Sequence, residues 1–515
     1  NTSLFTPNEI VNGQIVQISP YLFQFICPVT QFGLAATWLR DLSDGYIGFD
    51  KDIVRRLPGP VTIIEKPFSK PEIRAKNSVS NTKPYFIGMQ VEPQPALPKF
   101  DWLIQTDSSL RRTPLYETHQ KLSAKLIPFA GWEMPVWYSS VLEEHLAVRQ
   151  TAGIFDVAHM GVYQAEGPDA CLFLDSVCAN DIAGLAIGES CYTHFLDPES
   201  NVIDDLLVYR YDPEKYLLVV NASNDSKDWT WLNAVKSGNI MVDLEKPWVQ
   251  AFGRKVILRD LRDSKEGKDM RVDLALQGPK SRDILLSLPW DEQTKKKIAH
   301  LNRTQLCTVT LHDIDLIISR TGYTGEKTAF ELFVHPERLV EIWDLLMKHG
   351  EPFGLKPCGL GARDSLRTEA GLPLYGHEMG GELNLGVSEA GFGSYVKVYK
   401  PWFIGRGKYI DREKKRQGIV SRFRFINQHV RMAHLGDEVL DEKGNIIGTV
   451  TSCAVDSQGF LTGQAYLTTK FASENQKIYI YQQVKKQADI RNKNLQPGER
   501  TSSPDEAVVV SRFIK

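Results

Sequence analysis

Nine residues, Val202-Ile-Asp-Asp-Leu-Leu-Val-Tyr-Arg210, set two adjacent carboxylates inside what otherwise has the make-up of a buried β-strand. Charge in a protein interior is costly unless it is paired or put to use. Neighbouring strand residues point to opposite faces, so the fold must supply two separate environments, one for Asp204 and one for Asp205. The expectation is that one faces solvent and the other a cavity. The plainer alternative is a strand edge carrying two solvated acids.

Composition narrows the class. The chain has 515 residues, 42% hydrophobic and 24% charged, with a formal net charge of -2. These values suit a globular protein of several domains and argue against a general nucleic-acid or membrane binder. Seven cysteines are scattered without a Cys-x-x-Cys pair, which argues against a disulfide framework or zinc cluster and suggests reduced thiols in a cytosolic protein. No His-x-x-x-His pair is placed to bind a metal on a helix, and none is expected. Residues 21–39 form the most apolar window. They include Gln24, Pro28, Gln31 and Gly33, so they are expected in a core and not in a membrane or signal peptide.

Residues 1–90 form a first unit, with weakly alternating strands expected over 13–19 and 61–64. Residues 91–110 hold Pro93, Pro95 and Pro98 and resemble an extended linker. From 111 to 400 strands and helices mix, as in an α+β architecture. A helix is expected over 139–150, stopped by Gly153, and further helices over 228–235 and 338–348. Strands are expected over 162–165, 206–209, 217–220, 316–318 and 330–334. Residues 401–515 have the texture of an all-β domain, with strands over 419–426, 446–453 and 478–481. Residues 485–505 are polar and are expected to form a long surface loop.

Several segments could carry chemistry: Phe129-Ala-Gly-Trp-Glu-Met-Pro135, Phe155-Asp-Val-Ala-His-Met-Gly161, Val220-Asn-Ala-Ser-Asn224, Arg320-Thr-Gly-Tyr-Thr-Gly-Glu326 and Cys358-Gly-Leu-Gly-Ala-Arg-Asp-Ser-Leu-Arg-Thr-Glu-Ala-Gly371. Each alone has an ordinary structural explanation. Gly322 and Gly325 can build a turn, and Arg363 and Arg367 can form a solvated helix face paired with Asp364 and Glu369.

Together and in this order, from about Arg111 onward, they closely resemble the aminomethyltransferase family, the T-protein of the glycine cleavage system. The resemblance implies a three-lobed folate-binding fold with a C-terminal β-barrel, preceded here by an N-terminal extension of unknown role. It implies transfer of an aminomethyl group from the lipoyl arm of H-protein to tetrahydrofolate as co-substrate, releasing ammonia and forming 5,10-methylenetetrahydrofolate. By correspondence, Asp205 is the catalytic aspartate, Glu331 binds the pterin's N–H edge and Arg363 binds substrate. Met160, Tyr192, Asn221 and Tyr323 line the folate pocket. The expected location is cytoplasmic, or the mitochondrial matrix in a eukaryote, with no nucleic-acid or membrane partner.

These residue types suit that chemistry. One carboxylate can accept two adjacent pterin N–H groups, aromatic and apolar walls hold a flat ligand, and a fixed carboxylate stabilises positive charge as ammonia leaves. The sequence also departs from the family pattern. Ser200-Asn201 replaces a pair of glycines before the aspartates, and Gly325-Glu-Lys-Thr-Ala-Phe-Glu331 is one residue longer than usual. Arg303 falls near an expected tyrosine, Thr451-Ser-Cys-Ala lacks a glycine after the serine, and Arg512-Phe-Ile-Lys515 stands in place of a tyrosine–arginine segment. Such changes leave two alternatives on the same fold: a tetrahydrofolate-dependent demethylase acting on an O-, S- or N-methyl donor, and a non-enzymatic folate binder that assists iron–sulfur maturation.

Overall fold

The computed structural model describes residues 109–482 and 503–513, residues 93–102, Pro84 and, apart from a few positions, 2–66. Residues 483–502, nearly all of the expected polar loop, lie outside the described residues.

Two sheets carry the middle of the chain. The first has five strands in the order Ile257–Asp260, Gly161–Glu166, Lys215–Val220, Val202–Asp212 and Glu189–Leu196. The second has six strands, Leu306–Leu311, Ile314–Ser319, Ala329–Val334, Val272–Gln277, Ala152–Asp156 and Leu355–Cys358, the last pair parallel. Val162, Tyr209, Leu217 and Val219 of the first sheet meet Leu306, Ile317 and Phe333 of the second in one apolar cluster. The sheets therefore share a buried seam, each large side chain in it contributing roughly 1.5–3 kcal/mol. A closed six-stranded barrel follows, from Gly418–Phe425 to Asp505–Val509. The helix Arg406–Lys414 precedes it.

The helix Val141–Gln150 starts where Ser140 accepts the Glu143 N–H at 3.2 Å. It is closed by Thr151, not by Gly153, which belongs to the strand Ala152–Asp156. A Cβ at Gly153 would lie 2.6 Å from the Cys358 sulfur, so this glycine serves close strand packing. The helix Leu360–Ala370 fastens the barrel to the sheets. Arg367, fully buried, donates to Glu378 at 2.6 Å and to the Ser452 hydroxyl at 2.8 Å. Thr451 and Ser452 each donate to Glu378 at 2.6 Å. The solvated-face expectation for Arg367 is thus corrected. So is that for Glu369, which is buried against Arg149, His145 and Ser457.

The first unit departs further from expectation. Strands form at Thr2–Phe5, Ile10–Ser19 and Leu22–Ile26, and a helix at Phe32–Ser43. Residues 61–66 are irregular, so the strand expected over 61–64 is absent. The apolar window is not a core, because Leu22, Phe23 and Val29 are exposed and, among its described residues, only Ala35 and Ala36 are buried. A small sheet buries its side chains only where another layer packs on it, and among the described residues Leu22 and Phe23 have no such cover. The unit touches the rest of the molecule where Arg406 pairs with Asp52 at 2.5 Å and Arg56 N–H donates to the Tyr399 carbonyl at 2.9 Å. The irregular segment 93–102 is pinned by Leu97 N–H to Pro247 C=O at 2.8 Å and by Met241 N–H to Pro98 C=O at 2.7 Å.

Candidate functional site

A cavity of about 410 Å³ opens beside the seam of the two sheets, and Met160, Tyr192, Asp205, Asn221, Tyr323, Glu331 and Arg363 all line it. The volume falls in the range of small-molecule sites.

At one end stands Asp205. Its strand pairs antiparallel with Glu189–Leu196 on one side and Lys215–Val220 on the other. Tyr192 donates its hydroxyl to Asp205 Oδ2 at 2.8 Å, and Asn221 Nδ2 donates to Oδ1 at 2.9 Å. Burial, and then the neighbouring Asp204, push the Asp205 carboxyl up to about 7, against the pull of those two donors. Asp204 does not face solvent as expected: it is fully buried. It accepts from Asn221 N–H at 3.0 Å, Asn221 Nδ2 at 2.9 Å and Asn224 Nδ2 at 2.5 Å. Asn221 therefore bridges both aspartates.

The turn before this pair, 197–201, keeps a left-handed residue without glycine. Ser200 has φ of 69°. Its N–H donates to the Asp197 carbonyl, and Asp197 Oδ1 accepts Asn201 N–H at 2.7 Å. Gly405 packs against this turn, where a Cβ would sit 2.5 Å from the Asp197 oxygen.

Glu331 lies elsewhere in the cavity, on the fully buried strand Ala329–Val334. The longer stretch before it is taken up in irregular backbone over 320–328, ahead of the strand. Glu331 Oε2 accepts the Tyr209 hydroxyl at 2.7 Å and the Thr321 hydroxyl. Among the described residues nothing donates to Oε1, which leaves an acceptor for a ligand. Asp273 also lines the cavity, and burial together with the Glu331 charge holds its carboxyl well above the usual range. Arg363 rests its guanidinium 5.1 Å from the Tyr323 ring centre and has no ion-pair partner among the described residues. Tyr323 is itself held by donation to the Pro373 carbonyl.

The walls are aromatic. Tyr192 meets Phe392 and Tyr395 edge-on at 5.8 and 5.1 Å, and those two stack on each other. Behind them Arg512, near the chain's end, donates to the Ala390 carbonyl at 2.7 Å and lies 5.5 Å from the Phe392 ring centre. Arg303, near the position expected to hold a tyrosine, lines the cavity and is exposed. Sequence reasoning missed Tyr209, Thr321 and Asp273. Tyr209 was visible as the residue four after Asp205 on the same strand face, but no pattern flagged Asp273 in Val272–Gln277.

Among the described residues no helix is long and apolar enough to cross a membrane, and no group of three or more His, Cys, Asp or Glu could hold a metal ion. Their cysteines are all free thiols, with Cys178 and Cys358 buried.

Comparison with known proteins matches residues 115–400 to the GCVT N-terminal domain family. An aminomethyltransferase of Symbiobacterium thermophilum is 44% identical over 303 residues, 58% of this chain and 74% of the relative. Those of Desulfitobacterium hafniense and Halothermothrix orenii are 39% and 38% identical, covering 67% and 72% of this chain and 86% and 95% of theirs. A solved glycine cleavage system aminomethyltransferase T from Bartonella henselae superposes with a TM-score of 0.62 at 28% identity, over 79% of this chain and all of the other.

Proposed function

Because the chain belongs to the aminomethyltransferase family of the glycine cleavage T-proteins, a family of one-carbon transferases, we propose that its cavity takes tetrahydrofolate as acceptor for an aminomethyl group presented on lipoylated H-protein. Ammonia leaves and 5,10-methylenetetrahydrofolate forms. The observation that carries this reading is the meeting of Asp205, Glu331 and Arg363 in one aromatic-walled cavity.

The residues fit the co-substrate. Glu331 offers the open Oε1 to a pterin's adjacent N–H groups while Tyr209 and Thr321 hold its other oxygen. Arg363 supplies an unpaired positive charge, and Tyr192 and Met160 supply flat and apolar wall. Tetrahydrofolate brings the amine nitrogens that accept the one-carbon unit. Asp205, fixed by Tyr192 and Asn221, stabilises the cationic carbon as ammonia departs. Held near neutrality, it also carries a proton to or from the reacting amine. A reorganisation of its dipoles is not needed at that moment, because both donors are already in place.

The test mixes purified full-length protein with tetrahydrofolate and H-protein carrying the aminomethyl-lipoyl group. Ammonia and methylenetetrahydrofolate should appear in equal amounts. Their absence, alongside methyl transfer from an O-, S- or N-methyl donor, would instead assign the demethylase activity.

A further inference from the structure

Asp228 is buried to zero exposure in the helix Asp225–Ser237, and among the described residues no donor hydrogen reaches either of its carboxyl oxygens. Its carboxyl faces that of Asp204 within hydrogen-bonding reach. Two ionised carboxylates cannot share such a contact in a dry interior; one must carry a proton. The surroundings choose which. Asp204 already receives three N–H bonds, from Asn221 twice and from Asn224, and so is built to be the anion. Asp228 has none and is built to be the acid.

We propose that Asp228 is a positioning residue for the transfer reaction: a neutral carboxylic acid that donates its proton to Asp204 and thereby keeps a fixed negative charge beside Asp205. The inference rests on Asp205 being the reacting carboxylate. Its consequence is a relay of environments. Asp228 keeps Asp204 ionised, and Asp204 adds to the burial that raises Asp205 into the neutral range. The other charged groups bearing on Asp228 are Lys227 and Asp225. Lys227 is directed away, donating to the Tyr375 hydroxyl at 3.0 Å, and Asp225 is paired with Arg262. Tyr192 and Tyr323 are the titratable neighbours of Asp205 across the cavity, and burial pushes both hydroxyls up, so they stay neutral. The sequence displays the device as Asn221, Asn224 and Asp228, the asparagine pair at the helix start and one residue a turn further on.

The experiment uses the full chain and two variants. Asp228→Asn keeps a donor to Asp204; Asp228→Leu removes it. With only its three N–H bonds left, Asp204 holds its charge less firmly and takes up a proton more readily, and the Asp205 carboxyl falls. The rising limb of turnover against pH should therefore move down by about one unit or more in Asp228→Leu and stay in place in Asp228→Asn. Independently of activity, the infrared carbonyl stretch of protonated carboxyls at neutral pH, to which Asp205 and Asp273 also contribute, should lose one component in Asp228→Asn. An unchanged infrared band in Asp228→Asn, or a limb that moves equally in both variants, would overturn the assignment. If the parent shows no aminomethyl transfer, the proposed function falls, while the infrared band still decides whether Asp228 holds the proton.

Discussion

Two of the three carboxylates lining the cavity, Glu331 and Asp205, differ in company. Glu331 is held by hydroxyls, Tyr209 and Thr321, with its second oxygen open, and it is the acid near it, Asp273, that is pushed well above the usual range. Asp205 is held by a hydroxyl and an amide but also stands beside a second, buried carboxylate, Asp204. A carboxylate with an open oxygen on a rigid, fully buried strand is suited to recognising N–H donors and remaining unchanged through a reaction. One pushed up to about 7 by burial and then by a neighbouring charge is suited to changing its proton or balancing a transient cation. The same chemical group is thus turned to binding in one place and to chemistry in another by what surrounds it.

The largest effect that would break this division is expected at Asp205. Asp205→Asn keeps the shape and should lower turnover by about 10²–10³-fold, with tetrahydrofolate affinity held; steady-state rates beside calorimetric binding read both. Next comes Glu331→Ala, which should weaken tetrahydrofolate binding by about 1.5–3 kcal/mol and leave most turnover at saturating folate. Unchanged affinity would remove Glu331 from the binding end. Smaller still is Tyr192→Phe. Loss of a donor to the charged form of Asp205 raises its pKa further, so the ionised form needs a higher pH. The rising limb should move upward, opposite to Asp228→Leu, and cost a few-fold in rate at pH 7. The smallest is Ser200→Gly, in the turn that leads into the aspartates. It relieves a left-handed side chain and removes a buried hydroxyl that lacks a partner among the described residues. Stability should rise by about 0.5–1 kcal/mol, the left-handed cost less glycine's entropy, with turnover unchanged.

Much of this was legible in the sequence, and the failures have particular causes. Strand pairing at 202–212 and the helix capped by Ser140 follow from local patterns of apolar spacing and capping. The burial of Asp204 was not legible, because alternation says only that it leaves the cavity face; what awaits there is Asn224 and Asp228 on a helix packed behind the sheet. Arg367 does pair with Asp364, at 2.8 Å, as the spacing suggested, but it is buried and not solvated, held also by Glu378 and Ser452, contacts 11 and 85 residues away. Asp273 carried no sequence signal because a single acid on a strand is common; only the register Ala275 to Glu331 brings its neighbourhood to the cavity. The apolar window over 21–39 misled because hydrophobicity does not say whether enough chain exists to cover it.

The most direct test of the division between the two carboxylates is a crystal structure of the full chain with tetrahydrofolate bound. The account predicts the pterin's amino and ring N–H groups on Glu331 and the nitrogens that accept the one-carbon unit facing Asp205. A pterin edge seated on Asp205, or folate bound outside the cavity, would contradict it.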